Sequence, residues 1–112
     1  METQDTLTLD LLKDLATRIL PKDSKVWLYG SRARGDFHEF SDWDLLILLN
    51  KQKIEIDDFP KYGYPFVELG SIHFADVSPQ LYSFSDWSNL ERLQTPYYKN
   101  IQEDKRIVYG TI

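Results

Sequence analysis

Leu7, Leu11, Leu12, Leu15, Ile19 and Leu20 recur at the three- and four-residue spacing that lines one face of a helix, and Pro21 cannot continue it. The spacing predicts a helix over residues 6–20. The next apolar run is of another kind. Lys25-Val26-Trp27-Leu28-Tyr29 alternates and is rich in strand formers, which predicts a first strand running into Gly30. Ser31 to Gly35 reads as a turn and the start of a brief helix. From Trp43 to Leu49 the chain is almost continuously apolar, the mark of a strand buried on both faces and therefore central in its sheet. Asn50 to Lys53 is its polar exit.

Pro60, Gly63 and Pro65 interrupt any helical pattern, so a helix is expected only from about Tyr64 to Ile72, behind an irregular lead-in. Phe74 to Tyr82 reads as a third strand, which Pro79 makes an edge or a bulged one. Ser85-Asp86-Trp87 has the form of a cap and first turn of a short helix. Pro96 suits the first turn of another, through about Gln102, and Arg106 to Tyr109 forms a fourth short strand. Helices alternating with strands give an α/β or α+β class.

A length of 112 residues fits a single domain with a real hydrophobic core, and the 14% aromatic share suits a core built with large side chains. No stretch approaches the roughly 20 apolar residues of a membrane span. METQDTLTLD lacks the basic start and apolar centre of a secretory leader. The absence of cysteine excludes disulfides and thiolate metal sites and makes the cytosol the expected location. A net charge of −5 argues against non-specific nucleic-acid binding, which draws its strength from Lys and Arg at phosphates.

The chemistry concentrates where polar residues meet the most apolar strand. Asp42 and Asp44 flank Trp43 at its mouth, and crowding like charges there costs several kcal/mol unless a cation offsets it. Side chains alternate along a strand, so the two carboxylates share a face about 7 Å apart. An all-oxygen clamp of this kind suits Mg²⁺, which also takes oxygens from a bound phosphate. Upstream, the first strand ends in Gly30-Ser31. Glycine allows close backbone approach to a ligand, the serine hydroxyl is a donor, and Arg32 and Arg34 bring positive charge, Arg34 being the better phosphate candidate. A phosphate cradle beside a metal clamp is the equipment of phosphoryl or nucleotidyl transfer.

Gly30-Ser31, ten intervening residues and Asp42-Trp43-Asp44 resemble the glycine-serine and paired-aspartate signature of the DNA polymerase beta-like nucleotidyltransferase superfamily. More closely, GSRARGD followed by SDWDLLILL is similar to the minimal nucleotidyltransferase proteins of prokaryotes. Many of these are antitoxin halves of two-gene modules whose partner is an all-helical HEPN ribonuclease. The resemblance implies one domain over residues 1–112, built on a small mixed sheet of three to four strands flanked by helices. It implies that Gly30 and Ser31 hold a nucleoside triphosphate and that Asp42 and Asp44 ligate Mg²⁺ in a two-metal site. The family pattern adds a third carboxylate on the next core strand. Asp76 is the only acidic residue there, yet aligning Ser83 to Trp87 with the family's post-strand turn puts Ser78 at that position. A bulge near Pro79 would bring Asp76 into the site, and both alternatives stay open. The implied activity is transfer of a nucleoside monophosphate, AMP from ATP, to a hydroxyl of a partner protein, a HEPN toxin. The alternative is a catalytically weak or inactive module acting by nucleotide or protein binding alone.

The remaining polar and aromatic residues read as structural. His38 and His73 lack metal-ligand spacing. Asp36 is expected to accept a backbone N–H in its turn. Trp27, Trp43 and Trp87 are expected to fill the core, Tyr97-Tyr98 to pack a late helix on the sheet, and Glu55-Ile56-Asp57-Asp58 to form a solvated face.

Overall fold

A computed structural model describes residues 6–110. The residues METQD, on which part of the leader reading rests, lie outside the described residues. Helix α1 spans Leu9–Ile19, later than its apolar pattern begins, because the Thr8 hydroxyl accepts from the Leu11 N–H at 3.2 Å and caps it. Strand β1 (Lys25–Tyr29), the one-turn helix α2 (Ser31–Arg34) and strand β2 (Trp43–Leu49) follow. A π-helical turn at Phe59–Gly63, where Pro60 removes a donor, leads into α3 (Tyr64–Ile72). Then come β3 (Val77–Ser83), α4 (Phe84–Leu93), α5 (Pro96–Asp104) and β4 (Arg106–Tyr109). No helix among the described residues is long and apolar enough to cross a membrane.

The four strands form one mixed sheet in the order β3-β2-β1-β4, with β2 and β3 parallel and the other pairs antiparallel. Alternation then divides β2. Leu45, Ile47 and Leu49 join Val26 and Leu28 beneath α1 and α3 in one core, while Leu46 and Leu48 join Trp27 beneath Trp87 of α4 and Ile101 of α5 in another. Helices cover both faces, which is why this inner strand is apolar throughout. The result is the α/β class and the small mixed sheet expected above.

Three expectations change. Phe74 does not begin β3: its φ of 58° is left-handed, and the Ala75 N–H returns to the Gly70 carbonyl at 2.8 Å, so residues 73–75 wind off α3. The bulge does not fall near Pro79. β3 pairs with β2 in unbroken register from Val77 to Ser83, and the irregularity lies between Val26 and Trp27, opposite β4. The cap of α4 is Ser83 rather than Ser85. Its hydroxyl accepts from the Asp86 N–H at 2.9 Å and donates to the Gln52 carbonyl at 3.1 Å.

Asp58 also departs from the solvated face expected for its cluster. It is 4% exposed and accepts from Lys51 Nζ at 2.8 Å and the Glu55 N–H at 2.7 Å. Burial pushes its carboxyl up, but the Glu55 N–H and Lys51 outweigh this and hold it below the ordinary carboxylate range. A depressed native pKa contributes stability above the unfolded pKa and loses it as pH falls through the native one. Thermal unfolding followed from about pH 7 to pH 3 should therefore show a shallower acid decline in Asp58→Asn than in wild type.

Candidate active site

The β1–β2 register sets Tyr29 opposite Asp44, so the residue after Tyr29 turns over the Asp44 side chain. That residue is Gly30, at φ 78°, ψ −159°, a region that side chains avoid. A Cβ there would overlap the Asp44 carboxylate and stand 3.3 Å from its Cγ. Glycine is thus required twice, by its backbone angle and by the carboxylate against it. Its carbonyl accepts from the Ala33 and Arg34 N–H groups at 3.1 and 3.0 Å and starts α2 at Ser31. Gly30→Ala should cost about 1–3 kcal/mol in urea unfolding and displace the Asp44 side chain.

The two arginines have separate tasks. Arg32 lies between the Phe37 and Trp43 rings, 4.6 Å from each centroid, and donates to the Ser41 carbonyl at 3.0 Å. It fastens the loop that delivers Asp42 and does not reach toward the cradle. Arg34 donates to Asp104 of α5 at 3.0 Å and to Asp36 at 3.3 Å. Asp36 keeps a structural role in the turn, with a guanidinium rather than a backbone N–H as its donor. His38 accepts from the Phe40 N–H through Nδ1 at 3.2 Å, a loop contact.

Asp42 is exposed just ahead of β2, and Asp44 is half-buried. Burial first, and the Asp42 charge second, raise the Asp44 carboxyl above its ordinary value; Arg34 offsets only part of this. On β3 the residue opposite Asp44 is Ser78. Asp76 precedes the strand, its side chain exposed and its carbonyl accepting from the Trp43 N–H at 2.8 Å, which sets its backbone beside that of Asp42. Continuing the parallel register one step pairs Asp42 with Asp76, so Asp42, Asp44, Asp76 and Ser78 belong to one face.

Two further groups come from α5. The Tyr29 and Tyr97 hydroxyls are 3.3 Å apart, and burial, with the Asp44 charge adding to it, raises both tyrosines' pKa and keeps them neutral. With Gly30, Arg34, Asn100 and Asp104 they line a cleft of about 470 Å³. Only the helical spacing of Tyr97, Ile101 and Asp104 hints in the sequence that these residues share a face.

The profile of the nucleotidyltransferase domain matches residues 9–109. The chain belongs to that family. No curated protein matches it. Solved structures share the fold of this nucleotidyltransferase domain, among them three toxin–antitoxin complexes. One is a toxin–antitoxin complex with AMP-PNP, at TM-score 0.65 and 21% identity, covering 94% of this chain and 75% of that one. The others are two mutant MntA–HpeT toxin–antitoxin complexes: one at 0.63 and 18%, covering 94% and 75%, the other at 0.62 and 19%, covering 95% and 75%.

The candidate site fits a divalent cation on its own chemistry. Two carboxylates crowd one end of the sheet, and burial first, with the Asp42 charge second, raises the carboxyl of the one against Gly30. Among the described residues no three His, Cys, Asp or Glu side chains gather as a ready-made metal site. The domain therefore offers two carboxylates, and phosphate oxygens and water complete a Mg²⁺ shell in such sites.

Proposed function

We propose that this nucleotidyltransferase moves AMP from ATP to a hydroxyl of a partner protein in a Mg²⁺-dependent reaction. The observation that carries the proposal is the abutment of Gly30 on Asp44, which joins the phosphate side of the site to its acidic side. Asp42 and Asp44 would hold the metal, which when bound would neutralise triphosphate charge and lower the pKa of the acceptor hydroxyl. Gly30 and Ser31 position the triphosphate, with Arg34 turning from Asp104 toward its oxygens. The acceptor oxygen would bond to the α-phosphorus, pyrophosphate would leave with the bonding electrons, and Asp76 would take the proton. The toxin–antitoxin complexes sharing the fold support a protein acceptor, and the AMP-PNP in one supports ATP. By the sequence resemblance that acceptor is a HEPN toxin.

The serine opposite Asp44 favours a second reading, a module that binds nucleotide and partner without reacting. One experiment separates the two. The protein is incubated with ATP and Mg²⁺, with and without the product of its adjacent reading frame. An adenylyl mass increment on the partner and release of pyrophosphate are expected. A stable complex with neither would establish the binding reading.

A further inference from the structure

Arg34 is held from two sides. Its Nε donates to Asp36 at 3.3 Å and its Nη1 to Asp104 at 3.0 Å, while among the described residues Nη2 has no hydrogen-bond partner. A guanidinium grips a phosphate through two neighbouring N–H groups, along either its Nε–Nη2 edge or its Nη1–Nη2 edge. Each edge here contains a nitrogen already given to an aspartate. Arg34 can therefore take a phosphate in a fork only when one carboxylate lets go.

The two aspartates are not equivalent. Asp36 sits in the same turn as the arginine, with its side chain 63% exposed to competing water. Asp104 crosses to Arg34 from the last residue of α5, and its side chain is only 17% exposed. That helix is anchored by the buried Ile101 and by the Tyr29–Tyr97 hydroxyl contact. The position of Asp104 on its own helix is a second, independent sign. Unpaired carbonyls make a helix C-terminus negative, so acids are disfavoured there. Yet α5 ends in Glu103-Asp104 and has no basic residue in its last turn. Nothing local to α5 favours a carboxylate at Asp104; its partner is the arginine across the cleft. The Arg34 N–H donates to the Gly30 carbonyl at 3.0 Å, and Gly30, Arg34 and Asp104 line the same cleft. A triphosphate arriving at the glycine turn thus meets a like charge and an arginine already engaged.

Resting on the nucleotide-binding role proposed above, we propose that Asp104 is a latch on Arg34, a positioning residue that holds the guanidinium off the phosphate groups and thereby sets the affinity of the site. Binding of a triphosphate opens the Arg34–Asp104 pair, and Arg34 turns from α5 to the ligand. Asp104 weakens the binding of any phosphate ligand that uses Arg34.

The test measures the binding of AMP-PNP with Mg²⁺ by titration calorimetry. It compares the full chain with Asp104→Asn, Arg34→Gln, their double variant and Glu103→Gln, each checked for folding by its thermal transition. Asp104→Asn should tighten binding about fivefold, the scale of a partly exposed ion pair, and Asp104→Ser should give the same gain. Arg34→Gln should weaken binding by at least as much. The double variant should match Arg34→Gln within about twofold, because Asp104 acts through the arginine. Glu103→Gln removes an equal charge from the same cleft and should change affinity by less than about twofold. The latch is overturned if neither Asp104 variant binds tighter than wild type. It is equally overturned if the gain persists in the Arg34→Gln background or appears in full in Glu103→Gln, since the effect would then be charge removal alone. Absence of AMP-PNP binding in every variant and in wild type would overturn the nucleotide-binding role and the latch with it. Binding that the Asp104 variants leave unchanged would overturn the latch only.

Discussion

Asp44→Asn, alone or with Asp42→Asn, is expected to lower adenylyl transfer by about a thousandfold or more while raising thermal stability at neutral pH. On the function proposed above, the loss would follow from removing a ligand of the cation, whose charge stabilisation of the transition state is worth several kcal/mol at about 1.4 kcal/mol per factor of ten. The stability gain follows from the opposite sign of the same electrostatics. Asp44 has its carboxyl raised in the folded state by burial and by Asp42. A raised folded pKa contributes stability below the unfolded value and loses it as pH rises through the folded one, so at neutral pH the ionised side chain opposes folding. Asparagine removes that opposition. Its advantage should shrink on acidification below the ordinary carboxylate range, where wild-type Asp44 is itself neutral. Mg²⁺ with a non-hydrolysable ATP analogue should raise the melting temperature of wild type and leave the variant nearly unmoved. A variant that melts below wild type at neutral pH would contradict this account of the site.

Trp87→Ala carries the largest expected stability cost, about 3–5 kcal/mol, from a total of about 5–15 kcal/mol for a domain of this kind. Trp87 stands at the centre of the second core. Its ring meets those of Trp27, Tyr82, Tyr97 and Tyr98 at centroid separations of 5.8, 5.6, 6.2 and 5.4 Å. Edge-on aromatic pairs add about 0.5–1.5 kcal/mol each beyond buried area. The consequence extends to the site, because Tyr97 and Asp104 ride on the helix that Trp87 seats. Urea unfolding should show the loss in the transition midpoint with little change in slope, and Trp87→Phe should recover more than half of it.

Local sequence determined the elements wherever a strong pattern met no competing demand. β2, α3 and β4 have the expected limits, since an unbroken apolar run, a helix entered through Pro65 and a short strand of β-formers each had one reading. Phe74 favours a strand in isolation, but unwinding α3 claimed it through a left-handed turn. Asp58 looked like one of several surface acids, and only the fold brings the Lys51 ammonium and the Glu55 N–H to it. The glycine-serine pair and the aspartates were legible because both sit at strand ends within one hairpin-like stretch. Tyr97 and Asp104 were not, since they reach the site from a helix some seventy residues along the chain. The third carboxylate turned on register. Chain spacing allowed either Asp76 or Ser78, and pairing with β2 decides which of them lies opposite Asp44.

Pro79, first noted only as a constraint on β3, has a bearing on how a partner can approach. β3 and β4 are the outer strands of the sheet, and outer strands invite another chain to extend the sheet by backbone pairing. Proline interrupts the donor row of one border, and the other is a single short strand headed by Arg106. Recognition by strand addition is therefore disfavoured at both borders. An acceptor protein would meet this domain through side chains, at the end of the sheet where Gly30 and Asp44 touch.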